Sequence, residues 1–67
     1  MFFTLNQFLQ RVWYVQEIEV RRTVADGEIV LTGKSFMVQR DPDYRKYENF
    51  YISSIGTDDG KLVIVLG

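Results

Sequence analysis

The run Leu62-Val63-Ile64-Val65-Leu66 is apolar at every position and β-branched at its three central ones, which makes it the most strand-prone segment of the chain. A strand that is apolar on both faces aggregates if left at a free edge. The segment is therefore expected either in the middle of a sheet or at a subunit interface. The Gly56-Thr57-Asp58-Asp59-Gly60 stretch before it reads as a turn. Phe50 to Ile55 reads as the preceding strand, with Phe50, Ile52 and Ser54 on one side and Tyr51, Ser53 and Ile55 on the other.

The same alternation marks an earlier hairpin. From Trp13 onward, Tyr14, Ile18, Val20 and Arg22 share one side of an extended chain, and Val15, Glu17, Glu19 and Arg21 the other. Asp26-Gly27 is a dipeptide that tolerates positive φ, and Ile29-Val30-Leu31-Thr32 follows it as a second strand closing near Gly33. The Glu17, Glu19 and Arg21 row offers one way for two antiparallel copies to pair glutamate with arginine. Lys34 to Gln39 fits either one helical turn capped by Ser35 or a continuation of the strand past a bulge, and the short turn is favoured. Asp41-Pro42-Asp43 resembles an N-cap followed by proline at the first helical position, opening a single turn through Tyr44, Arg45, Lys46 and Tyr47.

A helix precedes the strands. Thr4 followed by Gln7 fits a capping box, and Phe3 and Phe8 fit the positions of a hydrophobic staple. Leu5, Phe8, Leu9 and Val12 then form one apolar stripe over about two turns, too short to persist without docking on a sheet. The expected fold is α+β: one small domain over residues 1–67, with a short N-terminal helix packed on a four-stranded antiparallel sheet made of two hairpins.

Composition limits the chemistry. A chain of 67 residues buries only about 60% of the surface its unfolded form exposes. Disulfides, metals and partner subunits are the usual supplements. With Cys 0 and His 0, a disulfide and a structural zinc site are both excluded, along with Ser-His-Asp, Cys-His and thiol redox chemistry. No cofactor and no enzymatic activity are expected. Eight Lys+Arg against nine Asp+Glu, a net charge of −1, do not make the basic field that non-specific nucleic-acid binding requires. No apolar run approaches the ~18 residues of a membrane-spanning helix. The first ten residues lack the basic and apolar regions of a secretory signal, so a cytoplasmic setting and no membrane partner are expected.

Leu31-Thr32-Gly33-Lys34, Phe36-Met37-Val38, the Tyr44 and Tyr47 pair, Ile52, Ile55 and Asp59-Gly60-Lys61-Leu62-Val63-Ile64 together resemble short uncharacterised proteins of phages and mobile elements of Firmicutes. The resemblance spans roughly half the chain. It implies an accessory role of phage type in a bacterial cytoplasm and carries no activity over to particular residues. The N-terminal half departs from that pattern in its aromatics, Phe2, Phe3, Phe8 and Trp13.

Three candidate sites remain. Phe2, Phe3 and Trp13, with the second apolar face of Val63 and Val65, form the favoured partner-binding set, because surplus apolar surface on so short a chain marks an interface with a second copy or a larger protein. Arg40, Tyr44, Arg45, Lys46 and Tyr47 interleave cations and rings as a single-stranded nucleic-acid site does. Asp41, Asp43 and Glu48 neutralise those cations locally. Asp41 with Asp43 and Asp58 with Asp59 supply oxygen ligands for a hard cation only if the two turns meet; as separate pairs they read as turn and cap residues, and no metal site is assigned.

Overall fold

The computed structural model describes residues 3–23 and 27–67, so Phe2 and Asp26 lie outside the described residues. The elements run α1 (Leu5–Leu9), β1 (Glu17–Arg22), β2 (Ile29–Lys34), α2 (Ser35–Arg40), α3 (Tyr44–Tyr47), β3 (Ile52–Asp58) and β4 (Lys61–Leu66). The four strands form one sheet in the order β2-β1-β4-β3. The architecture is α+β, and β4 lies inside the sheet, flanked by β1 and β3.

The sheet is mixed, which corrects the expectation of a purely antiparallel one. β1 pairs antiparallel with β2, and β3 with β4, but β1 and β4 run parallel, with Ile18 opposite Leu62 and Val20 opposite Ile64. The cause lies in the connection between the hairpins. A tight loop would leave β3 antiparallel to β2, whereas α2 and α3 carry the chain back to the end of the sheet where β2 began. β3 therefore starts in the direction of β2, and β4 in that of β1. The central position of β1 also rules out Glu17, Glu19 and Arg21 as a dimer edge, since both of its sides are already paired.

α3 covers the expected Tyr44–Tyr47 and β4 the expected aliphatic run, while other elements depart from their expected bounds for local reasons. The capping box forms: the Gln7 N–H donates to Thr4 Oγ1 at 3.2 Å and the Thr4 N–H to Gln7 Oε1 at 3.0 Å. Yet α1 ends at Leu9, and the Arg11 and Val12 N–H groups reach back only three residues, to Phe8 and Leu9. β1 begins at Glu17 rather than Trp13, because residues 13–16 turn, with the Gln16 N–H bonding the Trp13 carbonyl at 2.9 Å. Ser35 is not a cap: Lys34 holds that position, Ser35 is buried inside α2, and its hydroxyl accepts from Gln39. Asp43, not Asp41, is the N-cap of α3, while the Asp41 carboxylate accepts from the Asp43 N–H at 2.8 Å.

β3 starts two residues later than expected and runs on through Asp58, leaving Asp59-Gly60 as the hairpin turn. Asp59 at φ 52 and Gly60 at φ 83 have the paired positive φ of a type I′ turn. A register shift between Ile52 and Ser54 breaks the simple alternation. It brings Ile52 and Ile55 to the same face, opposite Leu66 and Ile64.

The core lies on one side of the sheet. Ile18, Val20, Leu31, Ile52, Ile64 and Leu66 meet Leu5 and Leu9 of α1, Val38 of α2 and Tyr44 of α3. Three helices thus share the cover expected of one. The radius of gyration, 10.5 Å, is close to the ~11 Å of a compact chain of this length. Glu19, Arg21, Val63 and Val65 belong to the opposite face, half-buried among their own neighbours and without a covering helix.

The two faces of β4 make this asymmetry measurable. Ile64→Ala is expected to cost about 2–5 kcal/mol in urea unfolding, enough to unfold much of so small a domain, and Val63→Ala less than about 1.5 kcal/mol. Equal losses at the two positions would contradict one-sided burial.

Candidate partner interface

The structure separates the residues expected to form one partner surface. Phe3 is 46% exposed beside the start of β3, where its carbonyl accepts from the Ile52 N–H at 2.8 Å. Tyr51, 61% exposed, lies on the same edge through the Thr4–Tyr51 bridge. Trp13 lies by the opposite end of the strand order, in the turn that leads into β1, and is 69% exposed. Val63 and Val65 sit in the open sheet face, bordered on one side by Glu19 and Arg21 and on the other by Ser54 and Gly56. On that face Arg21 Nε donates to Glu19 Oε2 at 2.6 Å, so the two charges satisfy each other within the chain.

Trp13 belongs to a cluster that strand alternation concealed. Its ring meets Tyr14 edge-on at 6.3 Å, and Tyr14 meets Phe36 edge-on at the same separation. The arrangement is held by backbone bonds, the Phe36 N–H to the Tyr14 carbonyl at 3.0 Å and the Ser35 N–H to the Gln16 carbonyl at 2.9 Å. Arg40, one turn along α2 from Phe36, places its guanidinium 5.7 Å over the Phe36 ring. Met37, which follows Phe36 in α2, is 54% exposed. Tyr14, grouped by alternation with Ile18 and Val20, is 63% exposed because the chain turns before Gln16. A signal was present: Phe36, Met37 and Arg40 fall on the side of α2 away from Ser35 and Val38, as helical spacing dictates once the segment is read as helix.

The residues of the cation and tyrosine loop also part company. Tyr44 is 5% exposed, and its hydroxyl donates to Asn6 Oδ1 at 2.8 Å, so no ring face is left for a base. Tyr47 packs edge-on against Phe50 at 5.6 Å, and the Arg22 guanidinium stacks 4.6 Å over the Phe50 ring. Lys46 pairs with Asp43 at 3.2 Å. Arg40 and Arg45 line an open cleft whose walls also carry the carboxylates Asp41 and Glu48. Among the described residues, no group of three or more carboxylates is placed to hold a metal ion, so the Asp41/Asp43 and Asp58/Asp59 turns do not combine. No helix among the described residues is long and apolar enough to cross a membrane.

Around Asn6 a polar chain ties the helices together. Gln10 Nε2 donates to Asn6 Oδ1 at 3.3 Å and to Gln39 Oε1 at 3.2 Å, and Gln39 Nε2 donates to the buried Ser35 hydroxyl at 3.1 Å. Burial, with the nearby Glu48 carboxylate adding to it, pushes the Tyr44 phenol from 10.0 up to about 12. No protein-family model, curated protein or solved structure matches this chain.

The Tyr44 phenol supplies a pH signature. Between pH 10.0 and about 12 the unfolded chain has lost this proton while the folded chain keeps it, so stability present below that window falls as pH rises through it. Denaturant unfolding followed across that range is expected to show a steeper loss for the wild type than for Tyr44→Phe. The variant itself is expected to cost about 0.5–1.5 kcal/mol at neutral pH for the lost bond to Asn6. Parallel pH profiles would contradict the buried placement of the hydroxyl.

Proposed function

We propose that this chain is a small non-catalytic protein-interaction module that docks a protein partner through the Trp13, Tyr14, Phe36, Met37 and Arg40 surface. The observation that carries the reading is the exposure of two large aromatic side chains, Trp13 and Tyr14, in a patch that Phe36 and an arginine complete. Tryptophan, tyrosine and arginine dominate the energetics of protein interfaces: the two rings bury a large area at small cost in conformational freedom, and the planar guanidinium stacks and hydrogen-bonds at once. Here the rings hold each other edge-on, and backbone bonds fix the turn that presents them, so little ordering remains to oppose binding.

The nucleic-acid alternative through Arg40, Tyr44, Arg45, Lys46 and Tyr47 has less support. Its two tyrosines are engaged in the core and one of its cations faces Asp43, while the net charge is −1. The setting we infer is a bacterial cytoplasm and a phage-type accessory role. It rests on the resemblance carried by Leu31 to Ile64, independently of the aromatic patch.

Trp13 is the chain's one tryptophan, so its fluorescence reports on this surface directly. The isolated chain is expected to emit as a water-exposed indole and to shift to the blue when a captured partner is added. Trp13→Ala and Arg40→Glu are each expected to weaken capture by at least about tenfold, a loss of roughly 1.4 kcal/mol, with circular dichroism unchanged. Capture of the same partner undiminished by both substitutions would overturn the assignment.

A further inference from the structure

The backbone of β3 carries a second recognition element. β3 is an edge strand, and Thr57, Ile55 and Ile52 stand opposite Leu62, Ile64 and Leu66 of β4. In an antiparallel ladder alternate residues turn their N–H and C=O groups away from the partner strand. Two bonds fix the phase here. The Ile52 N–H points outward to the Phe3 carbonyl at 2.8 Å, and the Leu66 carbonyl turns away from β3 to accept from Thr23 at 3.0 Å. Ile55 and Thr57 share that phase, and among the described residues no backbone group meets them on the outer side.

We propose that this free stretch is a strand-addition site for a second copy of the chain. The two β3 strands pair antiparallel about a twofold axis at Gly56. The Ile55 N–H of each donates to the Thr57 carbonyl of the other, and the Thr57 N–H to the Ile55 carbonyl. The self-complementarity of the segment argues for this occupant. In that register Gly56 crosses the axis against its own copy, and nothing lies within 4 Å of the position a Cβ would take there. Asp58, the one charged residue of β3, meets Ser54 of the other copy, so no like charges oppose.

Ile52–Asp58 contains no lysine, arginine or proline to blunt the edge, and its register shift, between Ile52 and Ser54, lies before the free stretch. The other edge, β2, ends in Lys34 and turns at Gly33, φ 134, into α2. Strand addition already occurs on β3 in miniature, where Thr4 bridges to Tyr51 just before the free stretch begins. Joining the two copies makes one continuous sheet whose open face carries both Val63/Val65 stripes, with the two β3 strands between them.

This inference is independent of the aromatic patch, and different substitutions test the two. Sedimentation equilibrium of the full chain is expected to show a monomer–dimer equilibrium. Residue-resolved hydrogen exchange at low and high concentration should show the Ile55 and Thr57 amides slowing as the dimer forms. Thr57→Pro removes an outward donor and no ladder bond, a position proline tolerates in an edge strand. It should keep the circular dichroism of the wild type and weaken association by at least about tenfold. Trp13→Ala should leave association unchanged. A chain monomeric at every concentration, a dimer unmoved by Thr57→Pro, or one lost with Trp13→Ala would each overturn the proposal. Should Thr57→Pro fail to fold, concentration-dependent protection of the wild-type Ile55 and Thr57 amides decides alone, and protection elsewhere would overturn the proposal.

Discussion

The parallel pairing of β1 with β4 holds the two halves of the fold together. It joins two hairpins that are each local in sequence, and it places Ile18, Val20, Ile64 and Leu66, all essentially without solvent exposure, side by side under the helices. A two-stranded hairpin has only one face to bury and is marginal by itself. Four strands with a shared apolar face supply the platform on which helices of five, six and four residues can persist, lengths far below what isolated helices need. The helices stabilise the sheet in turn, because α2 and α3 form the connection that sets the direction of β3.

One-sided cover follows from that arrangement. The helical connection and α1 pack on the face of Ile18 and Ile64, leaving the face of Val63 and Val65 to the Glu19–Arg21 pair and the small residues of β3. A short chain with one cover must expose apolar surface somewhere, and here it falls in separate places. Phe3 and Tyr51 lie along the β3 edge, whereas Trp13, Tyr14 and Phe36 gather where the chain turns from α1 into β1 beside the start of α2. The second group is the more ordered, since rings and backbone bonds hold it together. That order is why it carries the functional reading.

Much of this was legible in the residues, and the gaps have physical causes. The Thr4/Gln7 box, the Asp59-Gly60 turn and the inward placement of Leu62–Leu66 follow from local chemistry, and all are present. Strand direction is not local: it depends on whether the segment between Gly33 and Tyr51 returns along the sheet, and two helices too short for a clear period hide that. The shift between Ile52 and Ser54 was equally hidden, because a single extra residue leaves the composition of a strand unchanged. Tyr14 was misplaced for a related reason: an aromatic two positions before a true strand continues its alternation by chance. The favoured partner set held one member of the observed cluster, Trp13, and missed Tyr14, Phe36, Met37 and Arg40, because contacts between a turn and a helix far along the chain leave no pattern in either.

The direction of β4 relative to β1 fixes which residues are covered, which face is open and which edge is free. Cross-strand nuclear Overhauser contacts in solution test it most directly. Ile18 is expected to contact Leu62, Val20 to contact Ile64 and Arg22 to contact Leu66, with both strands ascending together. Contacts running the opposite way, Ile18 with Leu66 and Arg22 with Leu62, would contradict it.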